Sequence, residues 1–462
     1  MPILVSKIDG YGIRSAGEGT VPVATMNSTF TVHGGKPLTG EVQLSGAKNA
    51  ATKLIIASLL TNDVCELENV PRIRDVEQTL NICEAIGCKY SWVDESTVEI
   101  DSRGISEYRI PLKYSGAMRS SVLFVAPILK RLGRADLQTV GGCNLGERPI
   151  DLHINGLKAL GAEVLEEDHT YHFIADSLAG SIFELNYPSV GATEQLILAA
   201  VGAEGRTVIR NAAVEPEILN LVGFLQSIGA IINQNEYRTW VIDGVKEFHG
   251  SSYWVINDRI EAASFGCLAI ATKGDIFVRG AEQENMFTFL NILRKAGGVF
   301  DIYRDGIRFR YVDELKPVII ETDVHPGFMT DWQPPLVTLL TQASGISIVH
   351  ETVYENRFGY VCALLDMDAK IELHKTCLGR KKCRFRDGHF SHSAIIQGGT
   401  QLSARELTVP DLRAGFAYLM AALMADGEST INGIEYVKRG YSYISEKITE
   451  IGGVISDEAP VH

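Results

Sequence analysis

"TEQLILAAVGAEGR" (Thr193–Arg206) and, a little further on, "LQSIGAII" (Leu225–Ile232) together decide how the chain folds. The first piece is apolar on nearly every side, so a helix made from it must be buried on most faces. It closes on Gly205 and leads into a strand-forming stretch. The second piece reads as a helix end, a glycine and then a strand. Glycine suits the place just past a helix C-terminus because it adopts left-handed backbone at no steric cost.

The same two pieces recur along the chain. Helix ends of the second kind are "ICEAIGCKY", "LKALGAEV", "LQSIGAII", "LRKAGGVF", "LLDMDAKI" and "ITEIGGVI". Apolar helices of the first kind are "AATKLIIASLLTND", "SSVLFVAPILKRLGR", "TEQLILAAVGAEGR", "ASFGCLAIATKGD", "PLVTLLTQASGIS" and "AGFAYLMAALMADGES". Equivalent points lie about 70 residues apart, too far for a solenoid. Six βαβ-type units predict an α/β fold with three units in each of two domains, helices inside and strands outside. Two stretches break the pattern. Residues before about Thr31 precede the first unit and read as loosely ordered, with Met26 just ahead of the first strand. The fifth unit carries an insertion, "LHKTCLGRKKCRFRDGHFSHSA", Leu373–Ala394.

The chain has 462 residues, more than one hydrophobic core normally supports. Its net charge of −14 argues against a nucleic-acid binder, which needs a basic face. It does not argue against an anionic small substrate, which a local arginine cluster can hold. Eight thinly spread cysteines with no apolar leader segment predict free thiols in a cytoplasmic protein. No apolar run reaches membrane-spanning length, so no membrane partner is expected.

Four groups of residues could carry chemistry. Cys143 sits in "TVGGCNLGERPIDLHINGL" (Thr139–Leu157), after two glycines in a polar loop and close to Arg148. Backbone freedom, exposure and positive charge are what make a thiol reactive; the plain alternative is a surface loop with an incidental thiol. Lys48 and Asn49 follow "LSGA" at the start of an apolar helix, where the dipole disfavours a lysine unless it binds an anion. Asp331, in "DVHPGFMTDWQPPLVTLL", reads as a general base and also as the N-cap of the next helix, two roles that are compatible. Arg119, Arg357, Arg413 and Arg439 stand at comparable turns of several units, suiting a cleft for a multiply charged anion. No glycine pattern of a dinucleotide or P-loop site lies between a strand and a helix. In the insertion, Cys377, Cys383, His389 and His392 are possible zinc ligands. The spacing is not the common one, and the stretch is read instead as a solvated hairpin, with no metal.

Beyond these readings, "LSGAKNAA", "VGGCNLGERPIDLHINGLKALGA", "YPSVGATEQLILAA", "NAAVEPEI", "NDRIEAASF", "HPGFMTDWQ", "ETVYENRFGYV", "VPDLRAG" and "RGYSYISEKITEIGG" together resemble the UDP-N-acetylglucosamine 1-carboxyvinyltransferase family of enolpyruvyl transferases. The resemblance runs in order from about Leu38 to Gly453. It implies a two-domain inside-out α/β barrel, with residues 48–256 as one domain and 1–47 plus 257–462 as the other. It implies transfer of the enolpyruvyl group of phosphoenolpyruvate to the 3-hydroxyl of UDP-N-acetylglucosamine, the first committed step of peptidoglycan precursor synthesis. No cofactor is implied, and the chain would be a monomer or weak homo-oligomer.

By the same resemblance, Cys143 would add to phosphoenolpyruvate or deliver a proton to its methylene carbon, and Asp331 would take the hydroxyl proton. Lys48, Arg148 and Arg439 would hold the phosphate. Arg357 and Arg413 would clamp the carboxylate, with Arg119 in support. Asn49, Asp331 and the backbone at Val353 would contact the amino sugar. Arg148, Pro149, Ile150, Asp151, Leu152, Ser189, Val190 and Gly191 would hold the uridine and diphosphate. The N-terminal extension and the insertion depart from the family pattern, as do "VGGC" for the commoner "PGGC" and "IEAAS" for "IETGT". Two other functions stay open at this point: an enolpyruvyl transferase for another uridine nucleotide such as UMP, and a non-catalytic or RNA-related paralogue.

Overall fold

A computed structural model describes residues 28–116, 118–138, 150–380, 389–409 and 415–458. Among them are six four-stranded sheets, all with one strand order. In each, a short strand runs parallel to a second strand, and the third and fourth follow antiparallel. One example is Arg109–Ile110 beside Arg134–Gln138, then Thr170–Ile174, then Glu163–Glu167. Six repeats of one topology are the six units expected.

The helix ends fall where the glycines placed them. Left-handed backbone follows the helices at Gly87 (φ 107°), Gly161 (95°), Gly229 (107°), Gly297 (90°) and Gly452 (86°). In the fifth unit Asp368 takes this role (φ 72°), as the sequence "LLDMDAKI" requires. Aspartate is among the few side chains that tolerate this region.

The apolar helices lie inside. In Arg259–Ala271 every residue but Ile260 is buried, and a Cβ on Gly266 would meet the Phe309 ring at 3.0 Å. The sheets lie outside and alternate buried with exposed residues, as in Arg206–Arg210. Such a layer gains most of its stability from apolar surface removed from water, about 25 cal/mol per Å².

The buried hydrophobic residues form two clusters. One spans Ala47 to Val255. The other joins Phe30–Leu44 to Ala262–Ile451. Strand Thr39–Gln43 pairs in parallel with Asp275–Arg279, and Thr29–Gly34 lies between Gly427–Asn432 and Val454–Glu458. The chain thus passes from one cluster to the other near Lys48 and again near Asn257. There the Ala47 N–H donates to the Ile256 carbonyl (2.7 Å) and the Asp258 N–H to that of Ser45 (2.9 Å). Glu261 secures the crossing by accepting from the Ser45 N–H (2.9 Å) and pairing with Lys447 (2.6 Å).

The insertion is the connection of a hairpin, since Lys370–His374 pairs antiparallel with Ser393–Gln397. Its ends are less solvated than the sequence reading proposed: His392 is fully buried, while His389 is exposed. The six described cysteines are free of disulfides. Among the described residues no helix is long and apolar enough to cross a membrane.

Candidate active site

A cavity of about 690 Å³ opens between residues of the two clusters. Among the helices that begin at its wall are Lys48–Ala57, Asp151–Ala159 and Val190–Ala200. Helix starts carry unpaired N–H groups and partial positive charge, so the wall is suited to anions. Lys48, Asn49 and Arg119 line it, as do Asp151, Leu152, Ser189, Val190 and Gly191. Asp331, Val353 and Arg439 come from the other side of the molecule to the same space. Ile150 is buried just behind the start of the second helix. Cys143, Arg148, Pro149 and Arg413, as well as Cys383 of the insertion, lie outside the described residues.

Lys48 and Arg439 are far apart in sequence and meet on one carboxylate. Lys48 Nζ lies 3.2 Å from Asp75 Oδ2, and Arg439 Nε lies 2.9 Å from Asp75 Oδ1. Burial pushes the Asp75 carboxyl upward, but the two cations outweigh it and hold its pKa below the ordinary range. Two cations on one anion leave this cluster of three side chains with net positive charge. Asp75 was not among the expected residues. Its only sequence signal is an acidic residue in a first helical turn, which is ordinary for a helix.

Asp331 sits in the short turn Thr330–Trp332, ahead of the helix Gln333–Leu340. Neither element has a side-chain cap hydrogen bond, so the N-cap reading of Asp331 does not hold. Its carboxylate is instead oriented by Arg357, whose Nη2 donates to Oδ1 at 3.0 Å. Arg357 also donates to the Thr330 carbonyl (3.3 Å), and its side chain is 1% exposed. The guanidinium therefore stands behind Asp331. Val353 donates its N–H to Glu351 Oε1 (2.8 Å), a buried carboxylate that also accepts from the Thr330 hydroxyl (3.0 Å).

True caps lie elsewhere. Ser189 Oγ accepts from the Ala192 N–H (3.4 Å), and Asp258 Oδ1 from the Ile260 N–H (2.7 Å). Burial first, and then the charge of Glu261, push the Asp258 carboxyl up to about 7. Arg259 forms a bidentate pair with Glu217 (2.9 and 3.0 Å) between the two clusters. Its Nη1 is buried with no partner among the described residues, and Arg259 lines the cavity. Glu194 also lines it, and burial raises its pKa to about 7. Arg259 and Glu217 lie within quoted motifs, "NDRIEAASF" and "NAAVEPEI", but neither had been given a role.

Cations from distant segments, a carboxylate held at the same cavity and helix starts along its wall are groups suited to anions and to accepting a proton. Comparison with known proteins gives this site a family. The family model of EPSP synthase (3-phosphoshikimate 1-carboxyvinyltransferase) matches residues 32–448. The UDP-N-acetylglucosamine 1-carboxyvinyltransferase of Protochlamydia amoebophila is 49% identical over 436 residues, 92% of this chain and 93% of that one. The chain belongs to the UDP-N-acetylglucosamine 1-carboxyvinyltransferases. The protein of that name from Chlamydia abortus is 47% identical over 429 residues, covering 92% of this chain and 97% of the other. Among solved structures, the enolpyruvyl transferase NikO from Streptomyces tendae superposes with a TM-score of 0.83, over 94% of this chain and all of that one. At 21% identity, that likeness is one of fold. The chain is thus a transferase of the two-domain α/β type.

Proposed function

We propose that this transferase moves the enolpyruvyl group of phosphoenolpyruvate to the 3-hydroxyl of UDP-N-acetylglucosamine and releases phosphate, a step of peptidoglycan precursor synthesis. The observation that carries the reading is the 49% identity to a transferase of that name over 92% of the chain. The cavity supports it, because Lys48, Arg439 and Asp331 line one space. UMP as acceptor draws no comparable support, since the relatives at 49% and 40% identity are named for UDP-N-acetylglucosamine.

The residues divide the chemistry as follows. Phosphoenolpyruvate carries about three negative charges, and fixed cations around a departing phosphate are usually the largest catalytic contribution. Lys48, Arg148 and Arg439 hold that phosphate. A proton, from Cys143 or through it, adds to the methylene carbon and leaves the neighbouring carbon electron-poor. The sugar hydroxyl bonds to that carbon while Asp331 takes its proton. The new methyl group then gives a proton back to the Cys143 sulfur, the carbon–oxygen bond to phosphate breaks with its electron pair going to phosphate, and the double bond returns. Arg357 orients Asp331, and with Arg413 and Arg119 it offsets the substrate carboxylate. Asn49 and Val353 contact the amino sugar. The starts of two helices, at Asp151–Leu152 and at Ser189–Val190–Gly191, with Arg148, Pro149 and Ile150, hold the uridine diphosphate. The reaction as written uses no cofactor.

In this reading, residues 48–256 form one domain and 1–47 with 257–462 the other, closing on substrate to exclude water. The protein works in the cytoplasm, as a monomer or weak homo-oligomer. Product analysis tests the reading: carbon-13 phosphoenolpyruvate with UDP-N-acetylglucosamine should place the labelled vinyl group on the sugar 3-oxygen. Label on any other oxygen, or none transferred, would reject it.

A reactive thiol at Cys143 also predicts a drug response. The epoxide fosfomycin should inactivate the protein by alkylating that sulfur. Intact-mass spectrometry should show one adduct on the wild type and none on Cys143→Ser. Inactivation without an adduct at Cys143 would remove the thiol from the site.

A further inference from the structure

The hairpin connection in the fifth unit carries three potential metal donors to one place. Strand Ile346–His350 pairs with Ser393–Gln397, so His350 lies opposite Ser393 and beside His392. The donor atoms of His350, Cys377 and His392 all lie within 4.8 Å of one another. Both imidazoles are fully buried, with centroids 5.3 Å apart, and the thiol is partly buried. His392 Nε2 lies 3.1 Å from Cys377 Sγ.

Hydrogen bonding fixes which ring nitrogens carry protons. Ser393 Oγ donates its one proton to the Thr376 carbonyl (3.0 Å) and accepts from the Leu378 N–H (3.2 Å). With that proton on the Thr376 carbonyl, the 2.8 Å contact with His350 Nδ1 is made by a proton on the ring. That leaves a lone pair on His350 Nε2, which is buried with no partner among the described residues. His392 Nδ1 lies 2.9 Å from the Phe390 carbonyl, which can only accept, so His392 Nε2 also carries a lone pair.

Two buried lone pairs and one sulfur thus converge. A thiol has one proton and can satisfy one nitrogen; a buried polar atom left unpaired costs about 1–3 kcal/mol. The chain also packs tightly here: a Cβ on Gly379 would meet His350 Cδ2 at 2.3 Å.

We infer that His350 Nε2, His392 Nε2 and the Cys377 thiolate bind a structural zinc ion, with water in the fourth place. Two imidazoles and a thiolate suit zinc's borderline softness. Zinc bond lengths of about 2.0–2.3 Å in a tetrahedron ask for a nitrogen–sulfur separation of about 3.6 Å. That falls between the 3.1 Å contact and the 4.8 Å limit of the cluster. Ser393 and the Phe390 carbonyl are the outer partners that hold ligand histidines in one tautomer. Binding releases the thiol proton to solvent. The ion would fasten the hairpin connection to the strand that runs from His350 into Glu351 and the cavity residue Val353.

The test loads full-length protein with zinc under reducing conditions, removes free metal and counts bound zinc by mass spectrometry. About one ion per chain is expected for the wild type, and less than about a tenth of that for Cys377→Ser and His392→Gln. Cobalt in place of zinc should give a thiolate-to-cobalt charge-transfer band, lost in Cys377→Ser. A chelator should lower the melting temperature of the wild type and leave that of Cys377→Ser unchanged. A folded wild type that takes up no metal, or variants that bind as much as the wild type, would overturn the inference. These readouts do not depend on catalysis, so they stand or fall separately from the proposed reaction.

Discussion

Replacing Asp331 with asparagine is expected to lower kcat by about two to four orders of magnitude, the usual contribution of a positioned general base. The geometry makes this a clean substitution. Asparagine keeps an oxygen for the Arg357 hydrogen bond of 3.0 Å and keeps the side-chain size. The buried guanidinium still faces Glu351, whose carboxyl feels its charge. Folding should therefore survive while proton acceptance does not. The Michaelis constant for the acceptor should change little, because the loss falls on the transition state. Steady-state phosphate release with circular dichroism as a folding control measures both. A variant within about tenfold of wild-type kcat would remove Asp331 from proton transfer.

The second large effect is on stability. Glu217→Ala should cost about 3–5 kcal/mol, because it leaves the nearly buried Arg259 charge at the cavity wall without its partner. Both side chains are nearly fully buried, at 3% and 5% exposure. Burial alone would raise the Glu217 pKa, but the Arg259 charge and its hydrogen bonds outweigh this and leave it lowered. A depressed folded pKa means that the contribution is present above the ordinary glutamate range. It is lost as pH falls through the folded value. The gap between wild type and variant in denaturant midpoint should thus be full at pH 7 and shrink below about pH 4. A gap independent of pH, or one under about 1 kcal/mol, would contradict the assignment of a buried ion pair across the two clusters.

Local backbone demands made the fold legible. Each unit needs a left-handed residue after its outer helix, and glycine or Asp368 announces it. Each inner helix needs an apolar surface all round, and residues such as Ala262, Ala263 and Phe265 supply it. The helix start at Lys48 was legible for the same reason, since it stands at a boundary the pattern marks, whereas Ser189 entered only through the family resemblance. What stayed hidden depends on contacts between distant segments. Asp75 matters because Lys48 and Arg439 both reach it. His350 joins Cys377 and His392 only through strand pairing. Arg357 was visible as an arginine, but not its place behind Asp331. Asp331 itself looked like a cap because Thr-Asp before an apolar helix is also how caps are written; its hydrogen bonding shows otherwise.

The most direct measurement is phosphate release from phosphoenolpyruvate, with UDP-N-acetylglucosamine and UMP as acceptors in parallel. The account predicts turnover with the sugar nucleotide and none above background with UMP. Turnover with UMP alone, or silence with both from a folded sample, would contradict it.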